Sequence, residues 1–437
     1  MLIYKNLGIL SKLNPDKICL IHGDTSLSYR DLAYKTDQIA YCLSCVHSKG
    51  ERIIIRHPDP IMQICILIGA SKAGLASVLT DVNTPENVLK SLVSVTNCKT
   101  LIDSEFDLSR YQQGNLPEVD QEDIFLGALS SGSTGIQKLI WRDHKSWTSA
   151  FSSQSVVFNL DSRDTLFIAG SLVYTANLNS CLHMLYEGGT VVIANNYSPK
   201  GWLDEIQKFK VSSLFMVPSN YQILLKAIKN SIPDISSLVS AGSKLDISIL
   251  KQLIQFFPNA LICEYYGASE LGHVSFAYSE DLLKHPDSVG KAFPNVKLWT
   301  KDNVIWVESP YIAPEYRPRA TVGDIGIIND DGCLFLQGRE NEIINKGGVK
   351  IIPEQVEKVL SLCPGVFECA VKGISDKAKG QKVAAWIIRS SSSKVTLSLL
   401  RSFCSKNLPV HQRPQVFRFV DKIPKTSKGR PDPSKLL

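Results

Sequence analysis

The sequence predicts an α/β protein: a large N-terminal domain of layered β-sheets with flanking helices, a small β-barrel-like subdomain, and a small α+β domain at the C-terminus. Three observations predict it. The chain has 437 residues, more than one core sustains, since single cores stop growing near roughly 250–300 residues. Short β-rich runs alternate with helical patterns between residues 18 and 263, the pattern of a largely parallel sheet. From about Val296 the texture changes to short strands and tight turns, followed by a tail of its own helices and strands. The expected domains are residues 1–340 and 341–437.

Taken in order, Ile18–Ile21, Gly23-Asp24 and Leu27 read as a small hairpin. Ser28, with Asp31 three residues on, reads as a capping box that opens a helix from Tyr29 to about Cys45. The strands that follow are Arg52–Arg56, Ala76–Leu79, Thr100–Ile102, Ile124–Leu129, Thr165–Ile168, Thr190–Ile193, Ser213–Val217, Leu238–Ala241 and Ala260–Cys263. The most apolar stretch, Ile61 to Leu79, is broken by Gln63, Ser71, Lys72 and two glycines. It reads as a buried helix running into a strand, not a membrane span. Val296–Thr300, Val304–Glu308, Gly326–Asn329 and Cys333–Gln337 read as short strands, with Asp331-Gly332 as a hairpin turn. The tail reads as helix (Pro353–Ser361), strand (Glu368–Gly373), strand (Val383–Arg389), helix (Leu397–Asn407) and a Pro/Lys-rich end.

The net charge of +6 comes from 48 basic and 42 acidic residues. No run of five or six like charges accompanies it, so nucleic acid is not indicated as a partner, whereas a phosphate-bearing ligand suits so slight an excess. The eleven cysteines have no framework spacing, and Met1-Leu2-Ile3-Tyr4-Lys5 does not open a secretory leader. A reducing, cytoplasmic setting is expected. Cys42 and Cys45 form one C-x-x-C without a second pair, and read as apolar positions on a helix face.

Residues 130–138 read S-S-G-S-T-G-I-Q-K. Gly132 and Gly135 let the backbone turn several N–H groups toward one point. Ser130, Ser131, Ser133 and Thr134 add rotatable hydroxyls, and Lys138 adds a full positive charge. Such a concavity suits phosphate oxygens; a surface turn is the lesser reading of the residues alone. The run does not end in Gly-Lys-Ser/Thr, which disfavours a P-loop NTPase.

The stretch resembles the T-S-G-S-T-G-x-P-K-G signature of the adenylate-forming enzymes: acyl-CoA synthetases, adenylation domains of peptide synthetases, and luciferases. Gln137 replaces the Pro and Leu139 the last Gly. Tyr266-Gly267-Ala268-Ser269-Glu270 is similar to the family's Y-G-x-T-E, and Ser240-Ala241-Gly242-Ser243 to the strand end beside the adenine. Gly323-Asp324, followed by Gly338-Arg339, resembles its T-G-D and G-R pair. Asn345 to Glu357 resembles the loop that swings in for thioester formation, and Pro424 to Arg430 its P-x-T-x-x-G-K.

The resemblance implies an ATP- and Mg²⁺-dependent acid–thiol ligase with a mobile C-terminal domain. It implies that Tyr266 stacks on adenine beside Gly242 and Ser243, that Asp324 and Arg339 hold the ribose, that Ser269 meets the α-phosphate, and that Glu270 holds the metal. Gly347 and Gly348 would line the thiol channel, and Asn341 stands at the hinge, where Asp or Lys is usual. Arg430 stands where the family has a catalytic Lys; arginine keeps the charge but presents a planar fork.

In the acyl pocket Thr175 stands where amino-acid-activating members carry an Asp, so α-amino acids are disfavoured. Tyr174 stands where many acyl- and aryl-CoA ligases have a His. Asn177, His183 and His273 are candidate substrate contacts, with a structural or peripheral role the favoured reading for each. The expected substrates are ATP, an organic acid, and either CoA or the phosphopantetheine of an acyl carrier protein. A homologue that binds nucleotide without turnover is the competing expectation.

Overall fold

In the computed structural model, which describes residues 1–98, 100–105, 115–130, 138–346, 349–376, 380–390, 395–425 and 435–436, the first hairpin forms as Ile18–His22 and Thr25–Ser28. Ser28 then caps the helix Tyr29–Val46: its hydroxyl accepts from the Asp31 N–H, and Asp31 reaches back to the Ser28 N–H. The apolar stretch is the helix Pro60–Lys72, buried along most of its length, running into the strand Ala76–Leu79. Lys72 ties its end to Asp37 of the preceding helix at 2.7 Å.

The residues divide into two compact units. One comprises Met1–Ser130, Leu139–Lys297 and Val307–Ala320; the other includes Leu298–Trp306 and the chain from Thr321 onward.

The first unit holds two sheets. In the larger, nine strands lie in the order Lys291–Ala292, Gly272–Tyr278, Leu261–Ala268, Ser237–Ser240, Ser213–Met216, Thr165–Ile168, Thr190–Ile193, Ile18–His22, Thr25–Ser28. The pairings from Leu261–Ala268 through Ile18–His22 are parallel, and hairpins close both edges. The central strands Ser213–Met216 and Ser237–Ser240 are buried along their whole length, serines included. The smaller sheet has the order Thr100–Ile102, Arg52–Ile55, Ala76–Leu79, Ile124–Ser130, Lys138–Asp143.

In the second unit Asp324–Ile328 and Leu334–Arg339 form an antiparallel hairpin, with Val304 paired to Ile325. Downstream, Val366–Asp376 and Gly380–Arg389 form a long hairpin, with Val416–Phe419 parallel to its second strand and Ile344–Lys346 antiparallel to it. The helices Pro353–Ser361 and Leu397–Asn407 cover this sheet through Val356, Leu360, Leu400 and Cys404.

Nine of the eleven cysteines are buried and all are free thiols. Burial pushes the thiols of Cys65 and Cys369 up to about 12 and that of Cys404 up to about 11. Among the described residues no helix is long and apolar enough to cross a membrane.

Candidate active site

The strand predicted at Ala260–Cys263 continues to Ala268, so Tyr266 sits within a strand near its carboxyl end. It pairs with Gly272–Tyr278, a strand missed in the sequence, and the two join through the turn Ala268–Leu271. Ser269 and Glu270 lie in that turn, which is pinned from three sides. The Arg142 guanidinium donates to the Ser269 carbonyl at 2.9 Å. The Ala313 N–H donates to the Glu270 carbonyl at 2.9 Å. Gly272, at φ +72°, lies against Tyr311: an added Cβ would come within 2.7 Å of the Tyr311 Cβ and 2.9 Å of its carbonyl oxygen.

The segment Ala241–Ser243 follows the strand Ser237–Ser240, beside the strand carrying Tyr266. It is held by a half-buried pair: the Lys244 ammonium, partly exposed, bonds the buried Glu264 carboxylate, whose other oxygen accepts from the Leu245 N–H at 2.7 Å. Burial raises the Glu264 pKa while Lys244 draws it back. Glu264 stands two residues before Tyr266, so the pair couples the candidate adenine platform to its wall.

Asp324 and Arg339 face each other across their hairpin, and the Arg339 Nε lies 2.9 Å from the Asp324 Oδ1. Asp324 is buried. Asn341 follows, in a short 3₁₀ turn, Glu340–Glu342. Beyond it, Glu354 is hydrogen-bonded to Glu342 and near Glu357; burial, the first cause for both, raises Glu354 to about 8 and Glu357 to about 7. The Glu357 carboxylate also accepts from the Val371 N–H at 2.6 Å.

The acyl-pocket candidates divide. Tyr174 caps the helix Thr175–Glu187 and is half exposed. Asn177 is buried and donates to the Ser171 carbonyl at 2.9 Å. His183 is buried, with Nε2 2.8 Å from the Ser155 hydroxyl. His273 lies between Tyr265 and Phe293, ring centroids at 4.7 and 4.8 Å. Its Nε2 meets Gln154 Nε2 at 3.2 Å, and Gln154 Nε2 also donates to Asn179 Oδ1 at 2.6 Å. The histidine Nε2 therefore accepts, so the ring is neutral. Burial drives His183 and His273 down to about 3.

Strands Ile124–Ser130 and Lys138–Asp143 flank the glycine-rich run. Ser131, Gly132, Ser133, Thr134, Gly135, Gly347, Gly348 and Arg430 lie outside the described residues, as do the side chains of Ser130 and Asn341. Among the described residues no cluster of three His, Cys, Asp or Glu side chains offers a metal cage. Glu270 gives one hard oxygen donor, which fits Mg²⁺ when phosphate oxygens and waters complete the octahedron.

Sequence reasoning missed Arg142 and the Lys244–Glu264 pair. Arg142 left a signal: a cation directly after the apolar Leu139-Ile140-Trp141 of a strand demands internal partners.

Residues 11–316 match the family described as AMP-binding enzyme, and residues 355–430 match the AMP-binding enzyme C-terminal domain. The chain is 27% identical to the uncharacterized acyl–CoA ligase YhfT of Bacillus subtilis, over 96% of this chain and 94% of that protein. Its fold is similar to that of the o-succinylbenzoate CoA synthetase MenE of Bacillus subtilis, solved with an acyl-adenylate intermediate: TM-score 0.86, 19% identity, 98% of this chain and 97% of that one. A fatty acyl CoA synthetase of Mycobacterium tuberculosis gives a TM-score of 0.80 at 20% identity, covering 98% and 96%. The chain belongs to the AMP-binding enzyme family, within the adenylate-forming superfamily that its motifs resemble.

Proposed function

We propose that this protein is an AMP-forming acid–thiol ligase that converts a carboxylic acid to its acyl-adenylate with ATP and passes the acyl group to CoA. The observation that carries the reading is the immobilised Ser269–Glu270 turn directly beyond Tyr266. A carboxylate oxygen attacks the α-phosphorus in line; the bond to pyrophosphate breaks, and its electron pair leaves with pyrophosphate. No protein nucleophile is required, so positioning and electrostatics supply the rate.

Tyr266 offers a π-face to adenine beside Gly242 and Ser243. Asp324 accepts from the ribose hydroxyls, with Arg339 beside it. Ser269 donates to the α-phosphate, and Ser130 to Gly135 with Lys138 hold the departing phosphates. Glu270 would hold Mg²⁺, which when bound neutralises phosphate charge. Arg430 offsets the charge that develops at the reacting centre. The C-terminal domain then turns about Asn341, and the Gly347-Gly348 loop admits the thiol. Tyr174, Thr175, Asn177 and His273 are assigned to the acyl side, where the neutral Thr175 disfavours α-amino acids. A cytoplasmic location belongs to the same reading.

The test is pyrophosphate exchange into ATP with a panel of aliphatic, aromatic and dicarboxylic acids. Exchange with one class supports the reading; failure across the panel with ATP binding intact favours a homologue that binds without turnover. Thioester formation on CoA but not on carrier proteins assigns the acceptor, and the reverse assigns a phosphopantetheine arm.

A further inference from the structure

Arg142 is 2% exposed, and its guanidinium reaches three separate segments. It donates to the Ser269 carbonyl at 2.9 Å, the Tyr311 carbonyl at 2.6 Å and the Ser146 carbonyl at 3.1 Å. Burying a cation so completely is costly unless charge and hydrogen bonds compensate it. Two carboxylates lie within its field, Asp143 and Glu270, together with a second cation, Arg317. Arg317 is already matched to Asp143, with N–O distances of 2.7 and 2.8 Å. Asp143, the stronger of the two, is shared with Arg317, and Glu270 supplies the remaining negative charge.

The peptide geometry adds direction. Amides are planar and trans, so the C=O and N–H of one peptide point opposite ways. With the Ser269 carbonyl turned onto Arg142, the Glu270 N–H faces away from it. The Glu270 carbonyl is held by the Ala313 N–H at 2.9 Å. The backbone on both sides of the Glu270 Cα is thus fixed, and with it the origin of the side chain.

We infer that Arg142 is a positioning residue for the metal and phosphate end of the site: through the Ser269 carbonyl and the charge of Glu270 it sets where the Glu270 carboxylate stands. The inference rests on the reading of Glu270 as the metal-holding residue. Arg142 lies outside the sequence motifs, buried and bonded to three backbone carbonyls.

The experiment is calorimetric titration of ATP into the full-length protein at a series of Mg²⁺ concentrations, without any acid, so that turnover does not enter. The proteins are wild type, Arg142→Lys, Arg142→Leu, Glu270→Gln and Arg142→Lys/Glu270→Gln. Leu224→Ala, a cavity among the large-sheet residues away from the turn, controls for lost stability. Arg142→Lys keeps the charge and loses the fork; the Mg²⁺ needed for half-maximal ATP binding is expected to rise about tenfold, the scale of one charged hydrogen bond. Arg142→Leu is expected to raise it at least as far. In the Glu270→Gln background Arg142→Lys is expected to add little, since it acts through that carboxylate.

Leu224→Ala is expected to melt earlier with unchanged Mg²⁺ dependence. An Arg142→Lys protein with wild-type Mg²⁺ dependence, or with an effect that persists undiminished in Glu270→Gln, overturns the inference. Loss of folding in both Arg142 variants overturns it too, assigning the residue to stability. Absence of Mg²⁺-dependent ATP binding by wild type instead sinks the underlying reading of Glu270.

Discussion

The Arg339 guanidinium lies 2.9 Å from the Asp324 carboxylate, opposite it in the same hairpin register. A buried aspartate keeps its charge at low cost when a guanidinium faces it. The pairing also fixes the carboxylate in the place proposed for the ribose hydroxyls. Asp324→Asn is expected to weaken ATP binding about tenfold while keeping the hairpin, and Arg339→Ala to weaken it at least as much, by removing the guanidinium that faces Asp324. Fluorescent-nucleotide titration checks both, and wild-type affinity in either variant counts against the ribose assignment.

The candidate adenine wall, Ala241–Ser243, rests on Lys244 and Glu264. Lys244→Ala leaves a buried carboxylate unpaired and is expected to destabilise the fold by about 3 kcal/mol. Adding Glu264→Gln removes that charge and keeps an acceptor for the Leu245 N–H, so the double variant is expected to recover most of the loss. Chemical denaturation curves measure it; a double variant no better than the single argues that the pair matters only for packing.

The buried histidines His183 and His273 and the glutamates Glu354 and Glu357 are expected to answer pH with opposite signs. His183 and His273 titrate near 6.5 when unfolded and at about 3 when folded. Their folded forms bind fewer protons, so the stability they contribute is present above pH 6.5 and is lost as pH falls toward 3. Glu354 and Glu357 rise from 4.5 to about 8 and about 7. Their contribution is full below pH 4.5 and is lost as pH rises through about 8. Hydrogen exchange followed from pH 5 to 8 is expected to show faster opening around residues 342–371 at the alkaline end. Glu354→Gln is expected to flatten that response, and a response unchanged in this variant refutes its source.

Gly272 has φ +72° and no room for a methyl group against Tyr311. Gly272→Ala is expected to lower stability by about 1–3 kcal/mol, and to weaken ATP binding because the Ser269–Glu270 turn must shift. A melting curve and a nucleotide titration test the two effects separately.

Arg430 is assigned to the adenylation step alone. Arg430→Ala is therefore expected to slow pyrophosphate exchange at least tenfold, while a supplied acyl-adenylate is still converted to thioester. Equal losses in both half-reactions would contradict the assignment.

Much of the layered fold was legible because its strands are short, apolar and regularly spaced, and the capping box at Ser28 and Asp31 is a local signal. Strands that alternate sides or carry charge were not: Lys138–Asp143 holds Arg142 and Asp143 within an apolar run, and Gly272–Tyr278 opens on a glycine and a histidine. The site was legible where a motif concentrates chemistry, as in Tyr266 to Glu270. Its supports were not, because Arg142, Ala313 and Tyr311 come together only through tertiary structure. Lys244 and Glu264, twenty positions apart, likewise become partners only when neighbouring parallel strands align.

The enclosed cysteines bear on side reactions. Mixed anhydrides and thioesters are electrophiles, and the group that attacks them is a thiolate. By keeping nine thiols out of water, the fold denies the activated intermediate an easy theft by its own maker, so that self-acylation is disfavoured and the incoming cofactor meets little competition.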